Sequence, residues 1–194
     1  MKKFFSFALA ILVSFNLFAQ NTSGTWDAKT YTYSNAAYKI AWTLPSEISW
    51  VRASASIPNI IFKAVDPETQ TTLILNVKNF NSASDIWALY PSLSTKEYKD
   101  YMINNSRAAG ITINSYDVVK SQLDGIHAIK TTTSMRKYDQ SVGGDIDLIS
   151  VSYSFIMDDK LYNADFQALK ILKDETENFD QVVNYIFKGI KITK

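Results

Sequence analysis

Polar and apolar residues alternate along much of this chain. In residues 38–44, Tyr38, Ile40, Trp42 and Leu44 fall on one side, and Lys39, Ala41 and Thr43 on the other. Such a period of two predicts a half-buried strand, and Pro45 closes it because proline donates no backbone N–H. Residues 48–53 predict a second strand. Residues 59–65 and 71–79 predict two more, with Leu73, Leu75 and Val77 sharing a face. Between them, Asp66-Pro67-Glu68-Thr69-Gln70 supplies turn chemistry, so this pair reads as a hairpin.

The period then lengthens. Residues 84–90 predict a short helix before Pro91. Ser94, with Glu97 three residues later, forms a capping box. Tyr98, Tyr101, Met102, Asn105 and Ala108 or Ala109 continue at helical spacing to Gly110, which is placed to end the helix. The aromatic face of this helix is expected to pack on a sheet.

Strands return at 112–120 and 126–138, joined through Leu123-Asp124-Gly125, and Asp-Gly is a strong hairpin signal. Residues 141–145, with Gly143 and Gly144, read as a flexible connection. Beyond it, Ile149, Val151, Tyr153, Phe155 and Met157 line one face. Ser150, Ser152 and Ser154 line the other, which is expected to meet water or a thin cover. Asp158-Asp159-Lys160 turns the chain into residues 161–171, where Tyr162, Ala164, Phe166 and Ala168 alternate. The closing helix is expected to be capped by Asp174, with Glu177 three residues on. Phe179, Val182, Val183, Ile186 and Phe187 recur on one face, Lys188 sits at the negative end of the dipole, and Gly189 stops the helix. Residues 190–193 can add a final short strand.

Strands, helices, a three-strand meander and a helix, with short links, predict the fold class α+β. The architecture expected is an antiparallel β-sheet flanked by helices, an α/β/α sandwich. No internal repeat is present.

Residues 1–19 break this pattern. Lys2 and Lys3 precede a nearly unbroken apolar run at 4–18, and Ala19 offers a small residue for cleavage, the layout of a secretory signal peptide. The run is about fifteen residues long, short of the roughly 20 that span a bilayer. Leu17, three residues before the cut, is larger than usual there. No cysteine is available to carry a lipid. The expected organisation is a signal peptide at 1–19, a flexible N-terminal segment at 20–35 and a single α+β domain at 36–194. Within 20–35, Trp26, Tyr31 and Tyr33 could pair as an added edge strand. The localisation expected is exported, periplasmic or secreted, with no transmembrane segment after signal cleavage.

The chain has no cysteine, which excludes disulfides and thiolate zinc sites, so packing of its 46% apolar residues must supply stability. Lys and Arg number 20 and Asp and Glu 19. Near-neutrality without a basic block argues against a nucleic-acid partner.

The order of elements resembles the superfamily of PsbP-like and Mog-type proteins. Four stretches carry the resemblance. Tyr38-Lys39-Ile40-Ala41-Trp42-Thr43-Leu44-Pro45 with Trp50 is similar to its opening strand, proline and tryptophan, at a longer Pro-to-Trp offset. Residues 94–109 resemble its central helix. Leu123-Asp124-Gly125-Ile126-His127-Ala128 resembles its middle hairpin, and residues 179–192 resemble its closing helix and strand. The resemblance implies an antiparallel sheet between helices and an accessory or binding role. Its members include a photosystem II extrinsic subunit, a Ran-binding protein and bacterial envelope proteins. They share no single site, so no residue role carries over.

Candidate chemistry is sparse. His127 is the only histidine, and a nucleophilic triad needs a base. Alternation leaves its direction open, and a surface or satisfied core role is expected. Asp145 and Asp147 beside two glycines resemble part of a calcium loop but lack its other ligands. Asp158 and Asp159 are explained by a turn. No paired carboxylates for glycoside cleavage and no glycine-rich phosphate cradle stand out. Trp26, Trp42, Trp50 and Trp87, with 11 tyrosines, could supply a carbohydrate or lipid pocket. Trp42 is expected in the core, and Trp87 is the candidate for a groove.

The function expected is an exported soluble accessory or binding protein of the bacterial cell envelope, non-enzymatic. Its partner would be an unknown envelope protein or a small amphipathic ligand, held in a groove between sheet and helices. The alternative is a small secreted hydrolase using carboxylates assembled by the fold. No catalytic residue, metal ligand or cofactor is expected, and the ligand-binding residues are left open.

Overall fold

The computed structural model describes residues 24–193 apart from Ser56 and Ser141. The leader expected at 1–19 lies outside the described residues. The first strands are β1 (Thr25–Asp27), β2 (Thr32–Asn35), β3 (Ile40–Thr43), β4 (Val51–Arg52), β5 (Ile60–Val65) and β6 (Thr72–Asn79). A 3-10 turn (Ile86–Ala88), α1 (Tyr90–Leu93) and α2 (Lys96–Ala108) follow. The chain continues through β7 (Ile111–Leu123), β8 (Ile126–Asp139), β9 (Gly144–Met157) and β10 (Lys160–Leu169). It closes with α3 (Lys170–Glu175), α4 (Phe179–Lys188) and β11 (Ile190–Ile192).

Two antiparallel sheets result. The larger has the order β4-β5-β6-β10-β9-β8-β7, and the smaller β1-β2-β3-β11. The turn residues explain the meander. Asp124 and Gly125 take φ of 48° and 78°, and Asp158 and Asp159 take 49° and 54°, the left-handed pairs that tight hairpins require. At β5–β6, Asp66 accepts from the Glu68 backbone N–H and the Thr69 hydroxyl, which fixes the loop.

One face of the large sheet is covered by the small sheet and α4. Tyr33 stacks on Phe62 at 4.5 Å, and Trp42 stacks on Phe187 at 5.7 Å. Phe187 also meets Tyr153 at 4.5 Å. The Trp42 indole N–H donates to the Ile186 carbonyl at 3.0 Å, joining the small sheet to the C-terminal turn of α4. Gly189 follows that turn because nothing larger fits, since a Cβ there would lie 1.9 Å from the Thr43 carbonyl oxygen. The second face carries the excursion between β6 and β7. Ile86, Leu89 and Leu93 cover Val118, Ile129, Ile156 and Leu161, while Met102 of α2 packs on Ile113.

This architecture bears out the α+β expectation, and several boundaries differ. Part of the segment expected to be flexible, from Thr25 to Asn35, is paired as β1 and β2. Tyr31, with φ of 48°, ends the turn between them. The strand expected at 38–44 is shorter, because residues 36–38 form a 3-10 turn and Lys39 has φ of 51°. The helix expected to stop at Pro91 instead resumes there. Proline occupies its first turn, where a missing N–H costs nothing. Thr95, rather than Ser94, caps α2 and accepts from the Tyr98 N–H. Of the connection expected at 141–145, Gly144 and Asp145 already pair in the β8–β9 hairpin. Asp174 is not the cap of the last helix. It lies in α3, and Asn178, with φ of 60°, separates α3 from α4.

Candidate functional site

Strand register sets the chemistry of the helix-bearing face. Leu161 of β10 lies beside Ile156 of β9 at one end, and Leu169, Leu148, Met135 and Ile113 form a row at the other. Between these apolar rows the central strands turn polar. Asn76, Asn163 and Ser154 stand side by side. Asp165, Ser152 and Thr131 form the next row, followed by Gln167, Ser150 and Thr133. Period-two alternation puts these polar residues on the face opposite Phe166, Val151 and their neighbours.

The serine face, expected to meet water or a thin cover, is buried. Ser152 and Ser154 are 5% exposed, Asn163 and Asp165 7%. Buried polar groups need partners. The Ser154 hydroxyl donates to Asn163 Oδ1 at 2.7 Å, Asn163 Nδ2 donates to Asp165 Oδ2 at 2.9 Å, and Ser150 Oγ donates to Asp165 Oδ1 at 3.3 Å. Burial pushes the Asp165 carboxyl up to about 7, against the opposing effect of its bonds from Ser150 and Asn163. At the edge, Tyr116 hydrogen-bonds Thr131, yet burial raises its hydroxyl to about 12.

Next to this floor lies an aromatic shelf. Asp85 caps the 3-10 turn by accepting from the Trp87 backbone N–H at 2.9 Å, and its second oxygen meets His127 Nδ1 at 2.7 Å. The backbone bond is the main cause that holds the Asp85 carboxyl below its ordinary value, with the His127 bond and charge adding to it. Trp87 stacks on His127, with centroids 3.5 Å apart and planes 6° from parallel. The indole N–H donates to Ala128 O at 2.9 Å and Ser121 O at 3.2 Å. Lys120 Nζ lies 5.1 Å from the Trp87 ring centre and 5.3 Å from that of Tyr90.

No protein-family model matches the chain, and no curated protein matches its sequence. Among solved structures, it is similar to cyanobacterial PsbP (CyanoP) from Synechocystis sp. PCC 6803, with a TM-score of 0.56 at 12% identity. The match covers 83% of this chain and 91% of that one. The chain has a PsbP-like fold. The resemblance drawn from the element order is thereby borne out as fold. LpqN, involved in cell envelope biogenesis of Mycobacterium tuberculosis, aligns over 80% of this chain and 83% of its own at 12% identity, with a TM-score of 0.46. A Bacteroides thetaiotaomicron protein aligns over 89% of this chain and 49% of its own at 9% identity, with a TM-score of 0.48. At those scores the last two bear on neither fold nor function.

On the PsbP-like sheet, His127 shares the helix-bearing face with Ile129, and the carboxylate that orients it comes from a loop 42 residues earlier. Trp87, the residue singled out for a groove, is half-buried against His127. Trp42 is fully buried in the core. Asp147 makes a bidentate pair with Arg136 at 2.8 Å for each bond, and Asp158 pairs with Lys39 at 2.9 Å. Asp147 is thus held by Arg136, and among the described residues no cluster of three metal-ligating side chains forms. Asp165 and Asn163 were not singled out from sequence. Their signal was two polar positions within the alternating stretch 161–169, facing three alternating serines.

Proposed function

We propose that this chain is an exported accessory or binding protein of a bacterial cell envelope that works through the helix-bearing face of its large sheet. The observation that carries this reading is the polar block centred on Asp165, set between apolar rows and flanked by the Trp87–His127 shelf. Building such a block into the middle of a sheet costs stability that a leucine or valine floor would not. Recognition of a ligand gives that cost a purpose. The leader-like residues 1–19 support export, and the PsbP-like fold is compatible with a non-enzymatic role. Among the described residues, no helix is long and apolar enough to cross a membrane.

The test is to express the full chain in a bacterium, fractionate the cells and sequence the N-terminus of the recovered protein. A periplasmic or secreted product beginning at Gln20 is expected, and a cytoplasmic product still carrying Met1 would reject export. A second reading, a small secreted hydrolase, draws on the Asp85–His127 pair at 2.7 Å. An oriented imidazole is a fit general base. Ester or glycoside turnover abolished by His127→Ala would favour that reading over the first.

A further inference from the structure

We propose that the depression centred on Asp165 binds a protonated primary amine carried on a small hydroxylated body, the chemistry of an amino sugar; this rests on the binding role proposed above for the same face. The side chains set its shape. Ser150, Ser152 and Ser154 are shorter than the Leu161–Ile156 pair at one end and the Leu148–Leu169 pair at the other. Along β9 the floor thus steps down between two apolar pairs, with Asp165 at its side.

Its charge pattern selects the ligand. Asp165 receives hydrogen bonds from two neutral donors, Ser150 and Asn163. An ionised carboxyl offers about four acceptor positions, so about two remain for a ligand. None of the ion pairs among the described residues includes Asp165. The groups beside it in its row are Ile74, Ser152 and Thr131, all uncharged, and Lys63 stands beyond Ile74. A buried carboxylate without a cation is poorly stabilised. An ammonium group answers it, an anion is repelled, and a neutral polyol leaves the charge unmatched. The surrounding hydroxyls suit a ligand that carries hydroxyls of its own, and Tyr116, packed against Tyr98 of α2, closes the β7 side.

The experiment is calorimetric titration of the purified protein with 6-amino-6-deoxyglucose and with glucose, which differ at one carbon. The amine is aliphatic and stays protonated between about pH 6 and pH 8. The amino sugar should bind at least about tenfold more tightly than glucose. Its affinity should rise about tenfold from pH 6 to pH 8 as a carboxyl of pKa about 7 ionises. Asp165→Asn, which keeps the shape and can still bond both neighbours once the Ser150 hydroxyl turns to accept, should abolish both the preference and the pH dependence while circular dichroism stays native. Ser152→Val, which fills the floor but keeps the carboxyl, should weaken binding at least about tenfold. Equal affinity for the two sugars, binding of neither, or an unaffected Asp165→Asn variant would overturn the inference. An exported protein that binds neither sugar defeats this inference alone. A protein retained in the cytoplasm that still prefers the amine defeats the compartment and spares the ligand.

Discussion

Trp87 and His127 lie face to face, 3.5 Å between ring centres, while the indole N–H reaches two carbonyls of the β7–β8 hairpin. The shelf is held by stacking on one side and by hydrogen bonds along its edge. Trp87→Phe keeps a ring for the stack but leaves the Ala128 and Ser121 carbonyls without their indole donor. It should cost about 1–3 kcal/mol in chemical denaturation. An unchanged denaturation midpoint would show that the indole N–H contributes nothing.

Asp165 makes the fold less stable as pH rises. Its carboxyl titrates at about 7 in the folded chain, against a reference value of 3.8. The folded state therefore binds more protons than the unfolded state between those values, and stability falls with pH across that window. Below about pH 4 both states are protonated and the effect of this group is flat; above about pH 7 the loss is complete. At roughly 1.4 kcal/mol per unit, the loss is of the order of 4 kcal/mol. Urea titrations at several pH values should show it, and Asp165→Asn should flatten the profile.

Gly189 cannot accept a side chain. A methyl group there would sit 1.9 Å from the Thr43 carbonyl oxygen, the atom of a backbone already bonded to Gly189. Gly189→Ala should force β3 and the end of α4 apart and cost more than about 2 kcal/mol. A variant that melts with the parent would mean that the two backbones part easily.

Phe187 is 1% exposed and packs on both Trp42 and Tyr153. Phe187→Ala opens a cavity between the two sheets and should cost about 3–5 kcal/mol by equilibrium unfolding. A cost below about 1 kcal/mol would show that the small sheet settles into the space.

The elements most legible in the sequence were those whose pattern is local. Asp124-Gly125 announced its hairpin, and Leu73, Leu75 and Val77 announced a buried face, because turn chemistry and alternation need no distant partner. Caps were harder, since Ser94 and Thr95 are both good candidates and only the direction of the entering chain chooses between them. Asp174 misled for a similar reason, because the positive φ of Asn178 interrupts the chain between it and the last helix. The polar floor escaped recognition altogether. Three serines on a strand look the same facing solvent or buried, and what distinguishes them here is the placement of Asn163 and Asp165 across the strand pair.

The smaller sheet joins the two ends of the described chain, with β11 pairing to β3 and the Trp42 indole bonded to the Ile186 carbonyl. A chain emerging from the ribosome thus holds three of those four strands early and waits through β4 to β10 and the last helix before the fourth arrives. Until then the indole has no helix carbonyl to meet, and the aromatic surface around Phe62 has no finished lid. Such long-range closure slows folding, and a protein that closes late is one that can still be threaded.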